Sequence, residues 1–183
     1  TSMVLELAII FTFQSLVGSL YHQIGLLVTA FMAGATVGSL WMTRRLVRGG
    51  DALRAVRVAD LSLIGFALLL PFVIMIPAGW VAGPSSYALL YVSFVLVSLV
   101  CGILTGLPFP LAVRLRLTRS SGLAHAAGGL YSADLMGGFL GGLIGGVLLL
   151  PVLGLRATCG ILALVKACSV VLLLMRKQVR SQV

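Results

Sequence analysis

The sequence predicts an all-α integral membrane protein. Hydrophobic residues make up 60% of the 183 residues and charged residues only 9%, whereas a soluble domain carries about 25% charged residues. The mean hydropathy of +1.17 agrees with this class. Apolar runs long enough to cross a bilayer recur along the whole chain, and they are too long and too uniform to be alternating barrel strands.

Six apolar segments are long enough to cross a membrane as helices. We expect these helices at about 2–20, 25–46, 56–76, 87–112, 130–152 and 157–175, separated by polar or helix-breaking residues. The whole chain, 1–183, is therefore predicted to be a single six-helix transmembrane domain. Because it begins at Thr1 rather than at a methionine, we expect it to be part of a longer chain or a larger complex.

Basic residues gather on one side of the predicted bundle. They lie in the second and fourth connections and in the tail, at Arg44, Arg45, Arg48, Arg54, Arg57, Arg114, Arg116, Arg119, Arg176, Lys177 and Arg180. The opposite side has only Arg156. Since basic residues favour the cytoplasmic side, both termini are predicted to be cytoplasmic. The net charge of +9 then indicates contact with anionic lipid headgroups, and no nucleic-acid partner is expected.

The segment ADLMGGFLGGLIGGVLL, residues 133–149, sets three glycine pairs four residues apart in the fifth helix. In lipid, small residues allow helix backbones to approach closely. The glycines form two adjacent ridges, Gly137, Gly141 and Gly145 beside Gly138, Gly142 and Gly146. The second helix offers a matching surface at Gly34 and Gly38. We expect these faces to pack helices together, in a homo- or hetero-oligomer or within the chain.

The second and fifth helices also share a local pattern. MAGATVG (32–38) aligns with MGGFLGG (136–142), and the two helices are predicted to run in opposite directions. A shared motif on antiparallel helices is typical of an inverted three-plus-three repeat, as in half of a major-facilitator-type bundle. The alternative is chance, because small residues spaced by four are common in membrane helices.

Charged residues inside a membrane are costly and are therefore candidates for function. Glu6, Asp60 and Asp134 lie within about two turns of the predicted cytoplasmic ends of their helices. They either form interfacial ion pairs, Asp60 with Arg57 on its own helix, or line a cavity that attracts a cation.

Lys166 lies near the middle of the sixth helix, about 13 Å from either end. We expect its ammonium to face the bundle interior, where Gln14, Ser169 or a carbonyl exposed by a glycine could accept its hydrogen bonds. The alternatives are a structural lysine and one that handles a substrate or a proton.

Pro108 and Pro110, in TGLPFPLAVRLR (105–116), predict a kink or an end of the fourth helix, because each removes a backbone donor. Gly102 and Gly106 precede this break. A broken helix exposes carbonyls that can bind cations, or it simply lets the chain leave the bilayer. The sequence offers no catalytic triad, no dinucleotide loop and no metal-ligand spacing, so no catalytic residue, metal or cofactor is expected.

Three stretches together resemble the membrane domain of bacterial spermidine-synthase-like proteins, chains that fuse a transporter-like part to an aminopropyltransferase-like part. They are FQSLVGSLYHQIGLLVTAFMAGATVGS (13–39), LTGLPFPLA (104–112) and LYSADLMGGFLGGLIGGVLLLPVLGL (130–155). The resemblance implies a bacterial inner membrane location and a soluble Rossmann-like partner domain. This chain has no such domain, so the resemblance extends only to the membrane scaffold: Tyr131, Asp134, the glycine ridges and the proline break.

Three functions remain open from the sequence. The first is a non-catalytic membrane scaffold or subunit that packs against partner helices or a soluble domain. The second is half of a secondary transporter for a small, polyamine-like cation. The third, implied by the resemblance alone, is the membrane part of a polyamine aminopropyltransferase.

Overall fold

The computed structural model describes the backbone of residues 2–18, 21–49, 52–78, 84–117 and 123–180. Side chains are described in 2–18, 21–49, 54–74, 87–114 and 128–171. Seven α-helices and one π-helical segment follow one another, and this part of the chain contains no strand. They are α1 (Ser2–Val17), α2 (Tyr21–Val47), α3 (Ala52–Ala78), α4 (Pro84–Gly106), α5 (Pro108–Leu117), α6 (Leu123–Gly141), the π segment (Gly142–Leu149) and α7 (Leu150–Arg180). The predicted all-α class is confirmed.

Four helical stretches are long and apolar enough to cross a membrane: Tyr21–Val47, Arg54–Ile74, Tyr87–Arg114 and Gly128–Val171. The first helix, Ser2–Val17, is apolar but shorter. The predicted fifth and sixth helices form one continuous stretch of 44 residues. The sequence placed a connection at 151–158 within it, but helical structure there is interrupted only at Gly154.

Gly154 breaks this long stretch through its backbone conformation. Its φ of 74° and ψ of 176° fall in a region that essentially only glycine adopts. Gly154 lines a cavity with Leu16 and Ile74, close to the C-terminal ends of α1 and α3. The break therefore lies at one end of the bundle.

The two arms of the stretch, before and after Gly154, both extend from that end of the bundle toward the opposite end. Before it, Gly145 packs against Val4 in the first turns of α1. After it, Lys166 reaches Asp60 near the start of α3. The two arms of the stretch therefore run in opposite directions, the first alongside α1 and the second antiparallel to α3.

The core lies between α1, α2, α3, α4 and α7. Phe13 packs edge-on against Phe94 with ring centroids 5.3 Å apart, and both rings are buried. Apolar side chains of all five helices surround this pair, including Leu27, Leu63, Leu70, Leu90 and Leu162. A second cluster of Met42, Leu46, Ala59, Leu107 and Leu111 lies at the other end, under α5.

The break at Leu107 positions α5 over this second cluster. Helix α4 ends at Gly106 and α5 begins at Pro108, a position where proline is favoured because the first N–H of a helix needs no partner within it. The fourth predicted helix, 87–112, is therefore two helices. Arg114 on α5 donates a hydrogen bond from a guanidinium nitrogen to the carbonyl oxygen of Leu46 at 2.5 Å. That bond ties α5 to the last turn of α2.

Candidate functional site

The polar site that the structure assembles is an ion pair between α3 and α7. The Nζ atom of Lys166 lies 2.8 Å from Oδ1 of Asp60, and the two side chains are 21% and 9% exposed. Lys166 comes from the arm after Gly154, which the reversal of the chain lays against α3. An opposite charge at this distance offsets much of the cost of placing either charge in an apolar bundle.

This pairing corrects two partner assignments made from the sequence. Asp60 does not pair with Arg57, although both lie on one helix and are described. Lys166 does not depend on Gln14 or Ser169, because its ammonium donates to Asp60. Helical spacing identifies neighbours on one helix, but it contains no information about which other helix lies opposite.

Glu6 is the second buried acid. Glu6 is only 7% exposed, and its carboxyl group lies within electrostatic reach of Cys101 on α4. No ion pair or side-chain hydrogen bond joins Glu6 to another described residue. A carboxyl group in such a position is costly to ionise and is a candidate for binding a proton or a cation.

The three acids do not meet. Asp134 lies on the exposed surface of α6, and Arg114 does not pair with it but donates to the Leu46 carbonyl oxygen. Within the described residues, no group of three acidic, histidine or cysteine side chains lies close enough to hold a metal ion. The cavities of about 270 to 500 Å³ are lined by none of Glu6, Asp60 and Asp134. Among the described residues, the three acids therefore do not line one of these cavities together.

The closest helix contact joins α2 to α4. A Cβ added at Gly34 would fall on the carbonyl oxygen of Leu99, and one added at Gly38 would fall on that of Ile103. From the other side, Cβ atoms at Gly102 and Gly106 would strike the carbonyl oxygens of Phe31 and Ala35. The backbones touch at all four glycines, as small residues spaced by four permit in lipid.

The α2–α4 contact also corrects the sequence interpretation. Gly34 and Gly38 face α4 and not the glycine-rich helix. The sequence places Gly102 and Gly106 beside the proline break, yet their spacing of four repeats that of Gly34 and Gly38. That repeated spacing was the signal for their pairing. The Ser98 hydroxyl, which donates to the Leu27 carbonyl at 2.9 Å, adds a buried hydrogen bond to this contact.

The glycine ridges of the α6–π stretch are only half covered. Gly141, Gly145 and Gly146 lie against Val4 and Leu7 of α1. In contrast, a Cβ at Gly137, Gly138 or Gly142 would meet nothing within 4 Å. In an apolar 18-residue segment of Gly128–Val171 only 11% is buried, against 39% for such a segment of Arg54–Ile74. We call Gly137, Gly138 and Gly142 the open glycine edge.

Gln14, Pro108 and Pro110 take no part in these contacts. The backbone carbonyl oxygen of Gln14 accepts a hydrogen bond from the backbone N–H of Gly18 at the end of α1. Pro108 begins α5, and Pro110 lines a groove between α5 and α2.

Comparison of the chain with protein-family models, curated proteins and solved structures finds no match.

Proposed function

We propose that this chain is a non-catalytic integral membrane scaffold or subunit that packs against partner helices through the open glycine edge. The observation that supports this most is the poor burial of the glycine-rich stretch. Six glycines favour close backbone contact, yet three of them face open space within the chain. A surface suited to helix contact and left uncovered is suited to a second polypeptide.

The proposal includes six crossings, with both termini on the cytoplasmic side of a bacterial inner membrane. The reversal at Gly154 supports two crossings within Gly128–Val171. An inverted three-plus-three repeat rests on the pairing of 32–38 with 136–142. The two segments lie in different surroundings, since the first packs on α4 and the second contains the whole open glycine edge.

The partner would be other membrane helices or the soluble domain of a longer parent chain. The second choice follows from the resemblance to spermidine-synthase-like proteins, in which the membrane helices accompany such a domain. The neutralised Lys166–Asp60 pair agrees with a scaffold, because both charges are already satisfied inside the bundle.

The substitution Gly138→Leu tests the scaffold directly. Because nothing lies within 4 Å of a Cβ at Gly138, the variant should melt at the temperature of the parent. On blue-native gels of gently solubilised membranes it should lose the higher-order band that the parent shows. Gly25→Leu is the matched control, since Gly25 on α2 is equally open. A Gly138→Leu variant that assembles like the parent contradicts the proposal, as does a parent that migrates only as a monomer.

The second candidate is half of a secondary transporter. It is favoured by the burial of Glu6, which has no ion pair or side-chain hydrogen bond to another described residue. Uptake of labelled spermidine into proteoliposomes tests it. A transporter should lose uptake in Glu6→Gln while Asp134→Asn, an exposed acid, keeps it. Absence of uptake in the parent excludes this substrate.

The third candidate is the membrane part of an aminopropyltransferase. Calorimetric titration of the purified chain with decarboxylated S-adenosylmethionine addresses it. A non-catalytic chain should release no heat of binding, and measurable binding would overturn the non-catalytic assignment.

A further inference from the structure

A groove of about 500 Å³ opens between the last turns of α2 and the helix α5. Its walls are largely apolar and include Leu46, Phe109 and Val113, while Ser39, Thr43 and Arg114 supply the polar groups. The volume lies within the range of about 300–1,000 Å³ that is usual for small-molecule sites. The groove faces outward, because Thr43, Phe109 and Arg114 are all exposed.

Arg114 is held in place with most of its donors unused. One guanidinium N–H donates to the Leu46 carbonyl oxygen, and a guanidinium carries five donors. The bond fixes the side chain across the gap between α5 and α2. The remaining donors are available to an acceptor at the mouth of the groove.

The charge around this mouth favours an anion. Arg44 and Arg48, both exposed, lie at the same end of α2 as Val47, which lines the groove. None of the described residues that line the groove is acidic. An anion in the groove would therefore contact the Arg114 guanidinium, at an end of α2 that carries further positive charge.

The groove combines one positive charge with largely apolar walls. Arg114 supplies the charge at the end formed by the last turn of α2, and Leu46, Phe109 and Val113 supply apolar surface. A ligand that fits this lining has a negatively charged head and an apolar tail. Basic pockets between membrane helices on the cytoplasmic side suit anionic lipid headgroups, and the distribution of basic residues predicts that this end is cytoplasmic.

We propose that this groove binds one anionic phospholipid, with its phosphate on the Arg114 guanidinium and an acyl chain along Leu46, Phe109 and Val113. The site goes beyond the scaffold function and does not depend on it, because the open glycine edge lies on α6 and the π segment. An acidic partner helix is the competing occupant. It would contact Arg114 but has no acyl chain to fill the groove.

Native mass spectrometry of the purified chain in micelles with equal amounts of phosphatidylglycerol and phosphatidylcholine tests the proposal. The parent should retain phosphatidylglycerol preferentially. Arg114→Gln should weaken this retention about tenfold or more, because it removes a charge-assisted hydrogen bond. Arg45→Gln is the matched control: Arg45 is an arginine at the same end of α2, but it lies 5.5 Å from the Trp41 ring centroid and does not line the groove. Its retention should equal that of the parent.

Val113→Trp provides a second variant that leaves every charge in place. It fills the apolar part of the groove and should also reduce retention about tenfold. If Arg114→Gln loses helicity or elutes as an aggregate, Val113→Trp decides the question by itself. Equal retention of both lipids by the parent overturns the proposal, as does full retention in Val113→Trp. If inorganic phosphate at millimolar concentration displaces the lipid from the parent, the groove is a site for free phosphate. That result also overturns the proposal.

Discussion

The ammonium of Lys166 on α7 lies 2.8 Å from a carboxylate oxygen of Asp60 on α3. The two residues are far apart in sequence, and the reversal of the chain at Gly154 brings them together. The pair joins the last helix to the middle of the bundle by charge in a region where apolar contacts alone would give little specificity between helices.

Lys166→Met should destabilise the protein by about 3 kcal/mol, because it leaves the buried Asp60 carboxylate without its partner. The double variant Asp60→Leu/Lys166→Met should recover most of the loss. Thermal unfolding in detergent, analysed as a double-mutant cycle, measures the coupling between the two residues. Additive losses would show that the pair contributes no stability. If the chain is a transporter, the stable double variant should lack the uptake that the parent shows. If it is a scaffold, neither the parent nor the double variant shows uptake.

Gly34→Ala should lower the free energy of unfolding by about 1–3 kcal/mol, the usual cost of overpacking. The new Cβ would fall on the Leu99 carbonyl oxygen, and backbone atoms cannot turn aside as a side chain can. Gly25→Ala is the control on the same helix, and it should change stability by about 0.5 kcal/mol or less. Equal melting temperatures for the two variants would contradict the close α2–α4 contact.

Gly154→Ala should cost about 1–3 kcal/mol, because the φ of 74° and ψ of 176° suit glycine alone. The substitution should also favour a straighter α7, which would separate Lys166 from Asp60. An Ala163→Cys probe in a cysteine-free background reports this separation as faster modification, because Ala163 is buried one turn before Lys166. The control is Gly160→Ala, a helical position in open space. Its labelling rate should match that of the same cysteine variant with no glycine replaced.

Ser98→Ala should cost about 0.6 kcal/mol, the average measured for a hydrogen bond between helices in lipid. Its hydroxyl donates to the Leu27 carbonyl of the neighbouring helix. The Ser93 hydroxyl donates within its own helix, to Leu90, so Ser93→Ala should be close to neutral. Chemical unfolding of both variants in mixed micelles compares them, and a larger loss in Ser93→Ala would show that the bond between helices is not the stabilising one.

The sequence by itself determined the all-helical class of the described residues and two of the places where helices are interrupted. Long apolar runs require helices in lipid, because a helix satisfies its own backbone hydrogen bonds. The prolines at 108 and 110 predicted the end of α4, and the segment 151–158 contains the break at Gly154. These features depend only on residues that are close together along the chain.

Only the tertiary structure decided which surfaces meet. Glycines spaced by four identify a face that can be approached closely, but not the helix that approaches it, so Gly34 and Gly38 pack on α4 while the open glycine edge stays uncovered. The sequence does not identify Asp60 as the partner of Lys166 for the same reason, because the two residues lie on helices that are distant in sequence. In lipid the outside of a bundle is as apolar as its interior, so hydrophobic periodicity cannot distinguish a buried face from an exposed one. The choice rests on the shape and charge of helices distant in sequence.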